Sequence, residues 1–482
     1  MVTTEMSRSL GTRRALWELS VRDLLAGLRA RDFSAEEVVE AHLARISECQ
    51  PEVNALSEMW VDSALSQARQ ADHDLRAGLP IGGLHGVPFT VKANIDRRGA
   101  PTTHGVVALR GAVATADAPP VASLVAAGAI PLAQSNMPDF AFRWHTDSSA
   151  HGVTVNPWDP SVTPGGSSGG AAVACASGMV PFGLGNDTGG SLRQPAQCCG
   201  VASLRPTMGR VADAAVTVPT PGLQAFTVPG VLARDIADVA VVFPHLLGID
   251  ARDPLCAPMS FDTLNPVARR FSVHSGSAPL DPAVAASLAR SAAALVDAGY
   301  ERVDAMPPDP CAAAELWTDI ICADLRHQWS QLSALLGPPT LAFLEAFLAL
   351  RKPLDVDGLL AAYTKRYAVA REWSLFMREV PLVLTPVSSQ QAFSVGFDVE
   401  QGRVAGLLRD LECLVAVNLL GLPAAVCGTG LADGLPQAVQ IIGPRYREDV
   451  CLAAGEVIEQ HCGGACDPTR PPLTAPSGKP TV

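Results

Sequence analysis

Charge is scarce in this chain. Asp, Glu, Lys and Arg make up 17% of its 482 residues, and the balance is acidic, with a formal net charge of −12. Such a chain presents no basic field to a phosphate backbone, so direct nucleic-acid binding is not expected. Apolar runs of membrane-spanning length are missing too. Two uncharged stretches, 118–138 and 413–432, are interrupted by glycine, proline and polar side chains, whereas a spanning helix needs about 20 predominantly apolar residues. No apolar run with a small-residue cleavage site follows Arg13 and Arg14, so no signal peptide is expected and the cytoplasm is the default compartment. The 12 cysteines are too thinly spread for a disulfide framework. "HCGGAC" places His461, Cys462 and Cys466 together but lacks the second ligand pair of a structural zinc site, so no metal is expected. No Gly-Lys-Ser or Gly-Lys-Thr occurs, which excludes a Walker phosphate loop, and no fixed period points to a solenoid.

Apolar residues, in contrast, make up 48% of the chain, enough for a large core. The segment "LSVRDLLAGLRARDFSAEEVVEAHLARI" reads as two amphipathic helices, the second opening at a capping box of Ser34 and Glu37. In "LHGVPFTVKANI", Val87, Phe89 and Val91 alternate with Pro88, Thr90 and Lys92, which reads as a strand with Lys92 on the face opposite the aliphatic residues. "PPVASLVAAGAIPLAQ" reads as helix, Gly128, then strand. "DPAVAASLARSAAALVDAGYERV" repeats that plan, with Asp281 as N-cap, Pro282 at the first helical position and Gly299 beyond the end. Helix-then-strand units of this kind predict an α/β protein with a mixed or parallel sheet covered by helices. Residues 1–16 and 467–482 read as tails around one domain, 17–466.

The stretch "TPGGSSGG", Thr163 to Gly170, is the chain's densest glycine cluster and runs into the apolar "AAVACASGMVPFGLG", which argues against a flexible linker. Twenty-four positions after Ser167 a second glycine-serine turn appears, "GNDTGGSLRQPA". Two such turns around one apolar segment, with Lys92 upstream, fit either a shared site or turns required for packing. Lys92 by itself fits a snorkelling or salt-bridged lysine equally well.

Lys92, "GGSSGG" and "DTGGSLRQPA" together resemble the amidase signature family of serine hydrolases. The spacings agree with that pattern: 75 positions from Lys92 to Ser167 and 24 from Ser167 to Ser191. The resemblance continues through "NPWDP", "CGVASLRPTMGRV", "VNLLGLPAAV" and "GLPQAVQIIGPRYREDVCLAA", and so covers most of the chain. It implies a large mixed, mostly parallel β-sheet with helices on both faces. It also implies Ser191 as nucleophile and Ser167 as relay, with a neutral Lys92 as base. Burial makes a lysine neutral by stripping the ammonium of its hydration. The Gly166–Ser167 peptide is expected to be cis, with Ser168 as a supporting partner. Backbone N–H groups of Thr188, Gly189, Gly190 and Ser191 are expected to form an oxyanion hole, and Asp187 and Arg193 to hold that turn. No cofactor is implied. Two positions depart from the family's common pattern: Ala93 stands where an acidic residue is frequent, and Leu420 where threonine is frequent.

Substrate choice is less legible. The aromatic-rich segment "MPDFAFRWHTDSSAHG" offers Phe142, Trp144 and His145 as pocket lining and Arg143 as a carboxylate partner, though each also fits an ordinary core role. "ELWTDIICADLRHQW", Glu315 to Trp329, has the helical spacing of a second wall. The reaction expected is hydrolysis of a small carboxamide to an acid and ammonia or an amine. The alternatives are an acyl transferase that forms or cyclises amides, a glutaminase-type component of a tRNA amidotransferase (its A subunit), which "GGSLRQPAQCCGVASLRPT" also resembles, and a non-catalytic scaffold. The partners expected are a small-molecule amide and, as an open alternative to a monomer, a second copy in a homodimer; no membrane partner is expected.

Overall fold

A computed structural model of the protein describes residues 14–214, 220–259 and 267–464. The C-terminal tail, Cys466 and residues 1–13 of the N-terminal tail lie outside the described residues. The chain builds an eleven-stranded sheet. In chain order its strands are β1 (Leu56–Met59), β2 (Pro88–Lys92), β3 (Ile130–Ser135), β4 (Phe182–Asp187), β5 (Ala202–Arg205), β6 (Val228–Ala233), β7 (Arg270–Val273), β8 (Glu301–Arg302), β9 (Leu382–Pro386), β10 (Ala424–Ala432) and β11 (Leu435–Ile442). Their order across the sheet is β1-β3-β2-β4-β6-β5-β10-β11-β9-β7-β8. Helices cover both faces, and one apolar core runs from Val21 in the first helix to Ile458 in the last.

The sheet is mixed, as expected, but its parallel pairs sit in the flanks: β3-β2-β4 on one side and β9-β7-β8 on the other. The middle, from β4 through β6, β5, β10 and β11 to β9, is antiparallel. One cause is visible at β10–β11, where Ala432 pairs with Leu435 across Asp433 and Gly434, with φ of 52° and 80°. A two-residue turn with both central φ positive matches strand twist and reverses the chain at once.

Local signals behave as the sequence predicts. Glu37 N–H donates to Ser34 Oγ (3.1 Å) while Ser34 N–H donates to Glu37 Oε2 (2.7 Å), opening the helix Ala35–Val53. Asp281 accepts from Ala283 N–H at 2.8 Å, and the helix Pro282–Asp297 is followed by Gly299 at φ 85°. The uncharged stretches 118–138 and 413–432 contain the helices Pro119–Ala126 and, but for its first residue, Glu412–Leu420, each leading to a strand. Among the described residues no helix is long and apolar enough to cross a membrane.

The parallel flank carries the residues singled out in the sequence. Neighbours β2 and β4 run in the same direction, so Lys92 at the end of β2 lies beside Asn186 and Asp187 at the end of β4. Both strands are buried along their whole length, as expected where layers cover both faces. Their register places Phe89 opposite Phe182, and the rings stack at 5.2 Å on the face away from Lys92.

Candidate active site

Lys92 is wholly buried, and its ammonium position is defined by two short bonds: Nζ lies 2.7 Å from Ser167 Oγ and 2.8 Å from Asn186 Oδ1. Burial lowers its pKa from 10.5 to about 7, against a smaller opposing pull from Asp187. Among the described residues no carboxylate contacts the amine, so no ion pair holds it in the charged form. The alternative of a snorkelling or salt-bridged lysine is therefore excluded.

Ser167 comes from the glycine-rich turn that opens the helix Gly169–Ala176. The Gly166–Ser167 peptide is cis. Glycine is required at 166 by space: a Cβ there would lie 2.4 Å from the Arg143 carbonyl oxygen. Gly166 N–H donates to Gln194 Oε1 (2.8 Å), and Ser168 N–H donates to the Ser191 carbonyl (3.1 Å), so the two glycine-serine turns are laced together through the backbone. Ser168 Oγ reaches only the Asn186 carbonyl, at 3.4 Å, in keeping with a supporting role.

The second turn is held by an ion pair with no exposure to solvent. Arg193 Nε and Nη2 donate to Asp187 Oδ2 and Oδ1 at 2.9 and 3.0 Å, and both side chains are fully buried. Burial alone would raise the Asp187 pKa, but the Arg193 charge and hydrogen bonds, Arg205 and Asn418 outweigh it and hold the carboxyl well below the usual range. The rest of the Arg193 fork is taken by Asn418 Oδ1 (2.6 Å), Gln440 Oε1 (2.5 Å) and the Leu414 carbonyl (2.8 Å).

The same carboxylate accepts Gly190 N–H at 2.8 Å. Of the four N–H groups expected in an oxyanion hole, that of Gly190 is thus committed to the turn itself, because the left-handed φ of 99° at Gly190 folds the chain back over Asp187. The N–H groups of Gly189 and Ser191 have no hydrogen-bond partner among the described residues. Ser191 Oγ is likewise unpaired there.

Ser191 faces a cavity of about 390 Å³, whereas Ser167 and Lys92 lie behind it. Its walls include Phe142 and Trp144 from the aromatic segment and Trp317, Ile321 and Leu325 from the helix Pro310–Leu332, so both predicted walls are present. Two predicted pocket residues take other roles. Arg143 lines the cavity, but its guanidinium turns into a buried pair, donating from Nε and Nη2 to Asp398 at 2.9 and 3.0 Å and from Nη1 to Asp147 at 3.1 Å, so the edge that would grip a substrate carboxylate is already taken by Asp398. His145 is absent from the lining: it bonds Thr163 Oγ1 at 3.0 Å, and burial, aided by Arg143, lowers its pKa to about 4. At the chain's other end His461 caps its own helix through the Val457 carbonyl at 2.9 Å.

Sequence reasoning missed Asn186, Asn418, Gln440 and Arg205. Asn186 adjoins Asp187, and Arg205, Asn418 and Gln440 lie inside the family-like segments quoted above, but nothing in those segments marks which side chain reaches the site.

A family model described as Amidase matches residues 37–452. This chain belongs to the amidase family. It is 37% identical to an indoleacetamide hydrolase of Bradyrhizobium diazoefficiens over 459 residues, covering 93% of this chain and 87% of that one. It is 32% identical to the A subunit of the glutamyl-tRNA(Gln) amidotransferase of Chloroflexus aurantiacus, covering 92% of this chain and 97% of that one. Among solved structures, 6-aminohexanoate cyclic dimer hydrolase complexed with substrate superposes with a TM-score of 0.82 at 25% identity, over 95% of this chain and 100% of that one. The protein is accordingly an enzyme that hydrolyses amide C–N bonds.

Proposed function

We propose that the protein hydrolyses a small aromatic carboxamide to its carboxylic acid and ammonia or an amine through an acyl-enzyme on Ser191. The observation that carries this reading is Lys92: fully buried, with a pKa of about 7 and 2.7 Å from Ser167 Oγ. A neutral amine there accepts the Ser167 proton as Ser167 takes the proton of Ser191. The Ser191 and Ser167 hydroxyls have to come within hydrogen-bond reach when the amide is seated, a tightening common at catalytic sites. Attack on the carbonyl carbon gives an oxyanion facing the free N–H groups of Gly189 and Ser191, and each such donor is worth about 3–4 kcal/mol of barrier. The relay then returns the proton to the nitrogen, the C–N bond breaks, and water releases the acid by the same route in reverse.

An aromatic acyl group is supported by the cavity wall, where Trp144, Trp317, Phe343 and Phe347 meet with centroid separations of 5.9–6.5 Å. The indoleacetamide hydrolase relative supports the same substrate class. Likeness to the amidotransferase relative supports glutamine as a second reading, and capture of the acyl-enzyme by an amine is a third. The deciding assay measures ammonia and acid released from aliphatic, aromatic and amino-acid amides including glutamine, with and without hydroxylamine. Arylacetamides are expected to turn over fastest and Ser191→Ala to lose all turnover while remaining folded. Glutamine as the preferred substrate would overturn the aromatic assignment, and turnover by Ser191→Ala would overturn the mechanism. A cytoplasmic site of action and a homodimer complete the proposal, the latter checked by sedimentation.

A further inference from the structure

We propose that Trp317 and Trp144 are positioning residues for the turn that receives the oxyanion, in addition to forming the wall of the acyl pocket; the inference rests on Ser191 being the nucleophile. Four consecutive carbonyls of this turn are each taken by a donor from elsewhere. Asp187 O accepts from Arg205 Nη1 at 2.7 Å and Gly190 O from Gln194 N–H at 2.8 Å. The two between them are held by indoles that also line the cavity: Thr188 O by Trp317 Nε1 at 3.1 Å and Gly189 O by Trp144 Nε1 at 2.8 Å. In a trans peptide the carbonyl and the following N–H point in opposite directions. Fixing Thr188 O therefore aims the Gly189 N–H away from Trp317. Fixing Gly189 O, while Asp187 holds the Gly190 N–H, locks the next peptide plane at both ends and with it the approach to the Ser191 N–H.

The packing is as tight as the hydrogen bonding. A Cβ on Gly189 would lie 2.7 Å from Trp317 Cζ2, so the indole lies directly against the Cα of Gly189. Trp144 and Trp317 contact each other at 6.5 Å, and each is buttressed by an edge-on phenylalanine, Phe343 at 5.9 Å and Phe347 at 6.2 Å. The rings that an acyl group touches thus present their N–H edges to the reacting turn. Phenylalanine at either position would keep most of the wall and remove only that edge.

Trp317→Phe and Trp144→Phe are tested with phenylacetamide kinetics and with the second-order rate of Ser191 labelling by an aryl fluorophosphonate, whose phosphoryl oxygen occupies the oxyanion position. Each variant is expected to lose about five- to tenfold in kcat and in labelling rate, the worth of one neutral hydrogen bond, with KM and the inhibition constant of phenylacetate changing less than about twofold. Phe347→Leu, which disturbs the wall without touching the turn, is expected to raise KM and the phenylacetate constant with a smaller effect on labelling. Unchanged kcat and labelling in both tryptophan variants, or a labelling loss in Phe347→Leu equal to theirs, would overturn the proposal. If Ser191→Ala were still active or still labelled, the nucleophile assignment would fail instead. Circular dichroism of each variant separates misfolding from loss of alignment.

Discussion

Replacing Lys92 by methionine keeps an unbranched side chain, one atom shorter, and removes the amine, with consequences for both stability and rate. A depression of the Lys92 pKa from 10.5 to about 7, at about 1.4 kcal/mol per pH unit, means that burying this amine costs the fold on the order of 5 kcal/mol wherever the folded chain must carry it protonated. That cost is at its full value below about pH 7, where folded and unfolded chains are both protonated. Between about pH 7 and 10.5 the unfolded chain still binds a proton that the folded chain has released, so stability rises with pH across this window and the cost is gone above it. Lys92→Met escapes the cost but leaves Ser167 Oγ and Asn186 Oδ1 buried without the partner they have in the parent, at about 1–3 kcal/mol each. Any gain in stability over the parent near pH 6 should therefore not exceed about 3 kcal/mol, and the difference should move steadily in the parent's favour between pH 7 and pH 10. Urea unfolding at several pH values measures it. Activity should move oppositely: kcat/KM of the parent should climb about tenfold per pH unit up to roughly pH 7 and then level, and the methionine variant should fall by orders of magnitude. A stability difference that stays constant between pH 7 and pH 10, or a parent profile with no limb near 7, would refute the claim that Lys92 is neutral at working pH.

Other substitutions probe the turn and the pocket. Gly189→Ala should lower kcat by at least about tenfold, because its methyl would sit 2.7 Å from the Trp317 ring and must displace either the ring or the turn that supplies donors; full activity would show that the turn tolerates the shift. Arg143→Ala should cost about 3–5 kcal/mol in denaturant unfolding, since it leaves the Asp398 carboxylate buried without its partner. Preserved stability with an altered preference for anionic amides would restore Arg143 to substrate recognition.

How far the sequence foretold this molecule varied with how local the cause was. Ser34, Asp281 and Gly299 act within a few residues of themselves, and each appears where its chemistry predicts. The Lys92–Ser167 contact links positions 75 apart and was legible because a family pattern, and not periodicity, joins them. Arg143 lines the cavity and His145 lies just behind it, but only tertiary packing turned their side chains to Asp398 and Thr163. The antiparallel centre of the sheet had a local signal in Asp433-Gly434 that helix-then-strand patterning did not weigh. Asn418 and Gln440 lie more than 200 positions from the arginine they hold, and the family-like segments that contain them do not name their partner.

At the end of β4, Asn186 accepts from Lys92, while the next residue, Asp187, fixes the turn bearing Ser191. Proton acceptor and nucleophile are therefore indexed to each other by two neighbouring residues of a single strand. A slip of one residue in its pairing with β2 that carried Asp187 into the place of Asn186 would set a carboxylate beside the amine and take it from Arg193. The buried lysine would then gain a counter-ion and stay charged. The strand is buried along its whole length, so the same slip would also turn every one of its side chains to the other face, and packing and base would be lost together. Selection on such an enzyme thus acts on insertions and deletions in this strand as severely as on substitutions in its reactive side chains.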